Sequence, residues 1–241
     1  MKDIKSSQTG SLQQDTMKIP ALGEILDYAR RIGWRRALFR GAYVATNQLL
    51  ALSIFDCFLL RREDINTALT RTDGGYECRF LSPDEAGLFT GQLDGPLAWI
   101  LPEDLARGAA AYVILDGERL AGIGLYTESP TSILNDLVVH FDPPSRYMYR
   151  GYTQVAYRGR RLHALGILRA AQEYFDQQVP QLVTVCERTN YPAMVSVLRM
   201  GWQRSGVLYR IGVGPWTWLG QTAAARAIGM RLRLRCPETS V

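Results

Sequence analysis

The chain has 241 residues, 47% of them hydrophobic and 21% charged, with a formal net charge of +5; it is long enough to bury a core without disulfides or metals and too apolar to be a disordered chain. No apolar run reaches the ~18 residues of a membrane-spanning helix, because the longest, Leu49 to Leu60, is interrupted by Asp56, and the polar opening MKDIKSSQTG lacks the apolar stretch of a secretory signal. Cys57, Cys78, Cys186 and Cys236 are scattered without CxxC or Cys/His spacing, which argues against a metal site or a disulfide framework and for reduced thiols in a cytoplasm.

Residues 1–19 read as a disordered leader and 20–70 as a helical N-terminal extension, with Leu22, Ile25, Leu26, Ala29 and Ile32 at helical spacing. Gly33 and Gly41 break or bend that helix. Arg31, Arg35, Arg36 and Arg40 give it a basic face, either solvated or a docking surface for an acidic partner. A main domain is expected over 71–220. In it Tyr76–Leu81 alternates like a strand, and Ser82 to Glu85 has the form of a capping box. Asp116-Gly117 joins two apolar runs as a hairpin. Pro130, Pro143 and Pro144 predict at least one long loop within 127–146. Tyr147–Val155 reads as a strand with Tyr147 and Tyr149 on one face and Tyr152 on the other. Leu162–Phe175 follows as a helix, Leu182–Cys186 as a buried strand, Pro192–Met200 as a helix closed by Gly201, and Trp202–Val213 as a strand. Residues 221–241 form a basic tail, read as a short helix or strand. This order predicts an α/β (α+β) fold, a mixed sheet flanked by helices.

Charge is unevenly spread. Residues 71–145 carry 4 basic and 12 acidic residues, whereas 146–241 carry 14 basic and 4 acidic, and 25 of the 28 basic residues are arginine. A basic C-terminal half suits an anionic ligand or an acidic partner, and arginine forks suit phosphate. Without a recognition helix or zinc finger, nucleic acid is the last-ranked partner.

The sharpest local feature is Tyr157-Arg158-Gly159-Arg160-Arg161-Leu162-His163, between a strand and a helix. Such a turn collects free backbone N–H groups and the positive end of the helix dipole at one point, which favours phosphate. About thirty residues on come a strand, Asn190, Ala193, Gly201-Trp202 and a final strand. Together these features, over 76–214, resemble the GNAT superfamily of N-acyltransferases. Arg158 and Gly159 match the loop that holds the pyrophosphate of acyl-coenzyme A; Asn190, Ala193 and Gly201 match the later block. The resemblance implies a single GNAT-like domain in which two central strands splay and receive a pantetheine arm, and an amine attacks the thioester directly. It implies donor contacts from Thr153, Val155, Arg158, Gly159, Arg160, Arg161, Leu162 and His163, with Asn190 at the pantetheine or thiol end, and no metal. Arg161 stands where the family loop has its second Gly, and His163 where it has Gly or Ala. The donor is then free coenzyme A, with those side chains turned away, or an acidic acyl carrier protein bearing phosphopantetheine without a pyrophosphate. The family's usual helix tyrosine falls on Val197, so Tyr209, Tyr157 and Tyr191 are the substitutes as acid, with Tyr209 put first. For the base, the candidates are Glu187, His140, Asp142 and His163, with Glu187 first. The expected acceptor is a small-molecule amine in a cytoplasmic biosynthetic pathway, with no membrane partner; a catalytically silent binding module is the alternative.

Overall fold

A computed structural model describes residues 29–31, 33–71, 74–93, 97–134 and 136–235. The expected leader 1–19, the helix residues Leu22, Ile25, Leu26 and Ile32, and Cys236 lie outside the described residues. The chain divides into two compact units, Met1–Leu52 with Arg210–Trp218, and Ser53–Tyr209 with Leu219–Val241.

The smaller unit holds helix α1 (Trp34–Leu49), the start of strand β1 (Ala51–Leu60), and the end of a hairpin formed by β9 (Gln203–Val213) and β10 (Trp216–Gln221). Gly33, at φ 92°, makes the break the sequence predicts before α1. The helix is tied to the strand that follows it: Tyr43 donates its hydroxyl to the Leu52 carbonyl at 3.0 Å, and Asn47 Oδ1 accepts the Leu52 N–H at 2.8 Å.

The larger unit continues through β2 (Glu77–Phe80), α2 (Ala86–Thr90), α3 (Leu97–Ala106), β3 (Ala110–Asp116) and β4 (Arg119–Thr127). It then adds β5 (Thr131–Leu134), β6 (Leu137–His140), β7 (Arg146–Thr153), α4 (Leu162–Asp176), β8 (Leu182–Glu187), α5 (Tyr191–Arg199), α6 (Ala223–Ala227) and β11 (Arg231–Leu234). Eight strands form one mixed sheet in the order β10-β9-β1-β8-β7-β4-β3-β2, and β11-β6-β5 form a second, three-stranded one. The β3–β4 hairpin turns at Gly117 (φ 60°) with Asp116 opposite Arg119. On one face of the large sheet, Phe58, Leu60, Met148 and Leu182 pack with Leu168, Ala171 and Phe175 of α4. On the other, Phe55, Cys57, Leu59, Tyr147 and Val183 pack with Leu137, Val139 and Leu232 of the small sheet.

Three expectations are corrected. Residues 51–60 are not part of a helical extension but a strand inside the large sheet, antiparallel to β8 from Phe55↔Glu187 to Leu60↔Leu182. An unbroken apolar run carries no helix-versus-strand period, and burial on both faces is what such a run satisfies here. The proline-bounded stretch 127–146 has short connections around the β5–β6 hairpin in place of the expected long loop, and Leu137 and Val139 of that hairpin are fully buried. Tyr149 and Tyr152 do not lie on opposite faces: both pack against the cluster of Leu101, Val113 and Leu125, because a β-bulge at Arg150, φ 53°, resets the alternation between them.

Candidate donor site at the parting of two strands

β7 and β8 run parallel but share only the register pairs Arg146↔Leu182 and Tyr147↔Val183. One step further, Thr184 donates its hydroxyl to the Met148 carbonyl at 2.8 Å. From there each strand keeps its outer neighbour. β7 stays on β4 through Leu125↔Tyr149, Ile123↔Tyr152 and Gly122↔Thr153, and β8 stays on β1 through Cys57↔Val185, Asp56↔Cys186 and Phe55↔Glu187. The bulge at Arg150 and Gly151 opposite Gly124 adds local twist on the β7 side. The result is a notch flanked by two strand edges whose backbone groups need partners. An extended chain carrying amides can supply them.

At the far end of β7 the chain passes through Gln154 and a single 3₁₀ turn, Val155–Tyr157, into the basic loop and α4. Gly159 (φ 81°) and Arg161 (φ 61°) are both left-handed. Arg161 is the N-cap of the 15-residue α4 and makes no side-chain capping bond, and the first turn holds no acidic residue. The first-turn N–H groups and the dipole end are therefore left for an anion.

The structure places the sequence-derived donor residues in different situations. Arg158 is held by its Nε donating to the Thr153 carbonyl at 3.3 Å. Arg160 donates to the Tyr76 hydroxyl at 3.1 Å and lies over the Tyr157 ring, 5.3 Å from its centroid. Tyr157 in turn donates to Asp116 Oδ2 at 3.0 Å. Arg158, Gly159, Arg160 and Arg161 are exposed together in the loop. Val155 is exposed beside it, whereas Leu162 is buried against Ile114, Ala121 and Leu165 and offers the loop only its backbone. The Thr153 hydroxyl is buried without a hydrogen bond, on the side of Gly122. His163 turns inward: a Cβ at Gly151 of β7 would stand 2.5 Å from its Cε1, and burial pushes its pKa below the ordinary histidine value. Asn190 caps α5, its Oδ1 accepting the Ala193 N–H at 3.3 Å, and its own N–H donates to the Glu187 carbonyl at 2.8 Å.

The two residues put first for catalysis are not brought together. Glu187 is half-buried at the free end of β8, opposite Phe55. Leu208 packs with Phe55, so Tyr209, its neighbour on β9, points to the other face and lies over Gly220. Of the other acid and base candidates, Tyr157 is engaged by Asp116 and Asp142 by Arg231 at 2.6 Å. His140 lies on the small sheet opposite Arg231.

Sequence reasoning missed a polar group on the Glu187 face. Asp104 of α3 is only 4% exposed, and Arg150 Nε from the bulge lies 3.2 Å from its Oδ2. Burial raises the Asp104 pKa against the pull of Arg150 and Arg107, and raises that of Tyr149, which hydrogen-bonds to it. Tyr149 stacks on Tyr147 and, like Val185, packs against the core cluster that holds Tyr147 and Val183, so this group stands where the strands part. Its one sequence signal is an aspartate inside an apolar helix. Burial, then Asp56, pushes the Cys186 thiol up to about 11, which leaves it almost wholly protonated and unsuited to attack a thioester.

No family model matches the chain, and no curated protein does. Among solved structures, a protein of unknown function from Staphylococcus epidermidis is 8% identical, with 80% of each chain covered and a TM-score of 0.47. A GCN5-related N-acetyltransferase from Kribbella flavida is 14% identical over 73% of this chain and 63% of its own, at TM-score 0.46. A tandem GNAT protein of clavulanic acid biosynthesis is 13% identical over 82% of this chain and 59% of its own, at TM-score 0.45; the chain thus spans less than two thirds of the length of the latter two. Likenesses this distant carry no weight for the chemistry, which rests on the notch and the loop.

Proposed function

We propose that the protein is an N-acyltransferase that moves an acyl group from a pantetheine thioester to the amine of a small molecule. The observation that carries this reading is the notch between β7 and β8, with the basic loop and the uncapped start of α4 at the end of β7. A pantetheine arm has two amides with which to bridge the strand edges and a phosphate end for Arg158 and the α4 N–H groups. Its thioester then lies toward the parting point, where Tyr149, Asp104 and Glu187 gather. There the acceptor nitrogen attacks the carbonyl carbon, the C–S bond breaks, and the thiolate takes a proton. Glu187 and Asp104 are the carboxylates we assign to removing the ammonium proton, and burial, by raising the Asp104 pKa, strengthens that group as a base. Asn190, with Oδ1 spent on the helix cap, offers its amide NH₂ to a pantetheine carbonyl.

The inward turn of His163 favours free coenzyme A as donor over a carrier protein, since it takes one of the two bulky side chains out of the loop. Thermal unfolding with coenzyme A or a phosphopantetheinylated carrier tests this. A ligand at about 100 times its Kd adds about 2.7 kcal/mol, a Tm rise of roughly 5–10 °C for a chain of this size. A rise with coenzyme A supports the reading; a rise with the carrier alone shifts the donor; no rise with either overturns the donor site. A silent binding module is the second reading, favoured by the buried Val197 on α5 and by the opposed faces of Glu187 and Tyr209. It predicts binding without turnover across an amine panel.

A further inference from the structure

Where β7 parts from β8, Arg150 occupies the bulge at φ 53°, a left-handed backbone that disfavours a side chain and persists only where its surroundings hold it. The residue is anchored on α3. Its Nε stands 3.2 Å from Asp104 Oδ2, and its guanidinium lies over the Tyr149 ring, 5.7 Å from the centroid. Neither partner is fully used. Asp104 is 4% exposed, yet its Oδ2 makes no hydrogen bond among the described residues: Arg150 Nε is within ion-pair reach but not aligned to donate. The Arg150 Nη groups likewise make no hydrogen bond among the described residues, and the side chain is 28% exposed. Arg107, just past α3, does not complete the group, because it is shared between Glu103 at 3.6 Å and Asp104 at 4.0 Å. A buried carboxylate oxygen without a donor is costly, and a guanidinium fork suits a second carboxylate. The two vacancies lie side by side.

We propose that the acceptor is an α-amino acid, its ammonium donating to Asp104 Oδ2 and its carboxylate accepting from the Nη fork of Arg150. The inference rests on the acyltransferase reading and narrows its acceptor. An ammonium and a carboxylate one carbon apart fill both vacancies at once. A plain amine fills only the first, and sets its own charge beside the guanidinium with nothing to offset it. A plain carboxylic acid fills only the second and has no nitrogen to acylate. In the step that follows, the ammonium gives one proton to Asp104, and the freed nitrogen bonds to the thioester carbonyl carbon. The C–S bond breaks, and the second nitrogen proton leaves with the thiolate as free thiol. The product is an N-acyl amino acid. Arg150 keeps its contact with the carboxylate throughout, so it is a specificity residue and not the base.

The test is calorimetric titration of the full-length protein, with and without saturating coenzyme A. The probes are leucine, phenylalanine, glutamate and lysine, and the amine left by decarboxylation of each. Thiol release from acetyl-coenzyme A is followed in parallel. At least one amino acid should bind, and be acylated, with a preference of about tenfold or more over its own amine. Arg150→Gly removes the guanidinium while suiting the left-handed backbone, and should bring that amino acid down to the level of its amine. The ratio in the wild type is decisive even where this variant unfolds. Equal affinity for the amino acids and their amines overturns the inference. So does the absence of amino-acid binding with and without coenzyme A, or a preference that survives in folded Arg150→Gly. A preference for an amino acid in a protein that neither binds coenzyme A nor releases thiol overturns the acyltransferase reading instead, and leaves the amino-acid site standing.

Discussion

Arg161 and His163 are the two bulky residues at the turn from the basic loop into α4, and the backbone deals with them differently. Arg161 takes the left-handed conformation itself, at a cost of roughly 1–2 kcal/mol that a glycine would not bear, while its side chain stays exposed in the loop. His163 folds back onto Gly151, where any Cβ would collide with the ring. That location was not legible in the sequence, because the glycine that makes room for the ring lies on another strand. It has a pH consequence. Burial depresses the folded pKa of His163 below its ordinary value of about 6.5. On acidification the unfolded chain takes up the proton first, so the stability supplied by the neutral ring is complete above ~6.5 and is lost as pH falls toward the folded value. His140 is depressed as well, by burial and by Arg233 and Arg231, so the measurement is a comparison of unfolding free energy between pH 7 and pH 5 in the wild type and in His163→Gln. The wild type should lose more. Parallel losses would show that His163 is not buried as neutral imidazole.

At the scale of elements, the decisive arrangement is β1 inside the sheet. The helix–strand–helix order after Tyr147 was readable because each piece has its own period and cap: Asn190 caps α5, and Gly201 follows it at φ 104°. β1 was not readable, since its buried aspartate looked like an interruption rather than part of a strand. Asp56 is fully buried, and both Arg188 and Arg204 bond its Oδ1, Arg188 Nη2 at 2.6 Å and Arg204 Nε at 3.0 Å. These arginines come from the end of β8 and the start of β9, so one carboxylate joins three neighbouring strands. Removing one arginine leaves the other in place. Removing both leaves a buried, unpaired carboxylate, which costs about 3–5 kcal/mol. Urea unfolding should therefore show Arg188→Ala with Arg204→Ala destabilised by clearly more than the sum of the single variants. Simple additivity would mean that water reaches Asp56 and that the triad does not lock β1.

For the molecule as a whole, the net +5 conceals an acidic stretch over 71–145 followed by a basic one over 146–241. The fold puts the basic loop, which no acidic first-turn residue offsets, at the start of α4. On the proposed function, a polyanionic donor such as coenzyme A would be drawn in by the summed field as well as by contact. Between ionic strengths of about 0.01 M and 0.15 M the Debye length drops from ~30 Å to ~8 Å. The association rate of coenzyme A in stopped flow should fall over that range, whereas association of a neutral pantetheine fragment should not. Arg158→Ala should separate field from contact. It removes a charge-assisted hydrogen bond worth about 1.5–3 kcal/mol, so affinity should fall at least about tenfold, mostly through faster dissociation. Its association rate should keep most of the wild type's salt dependence, because Arg160, Arg161 and the helix end remain. A wild-type rate indifferent to salt would mean that the basic half serves some other partner. An Arg158→Ala variant that binds coenzyme A as tightly as the wild type would remove Arg158 from the donor site and leave the phosphate end to the backbone of the loop.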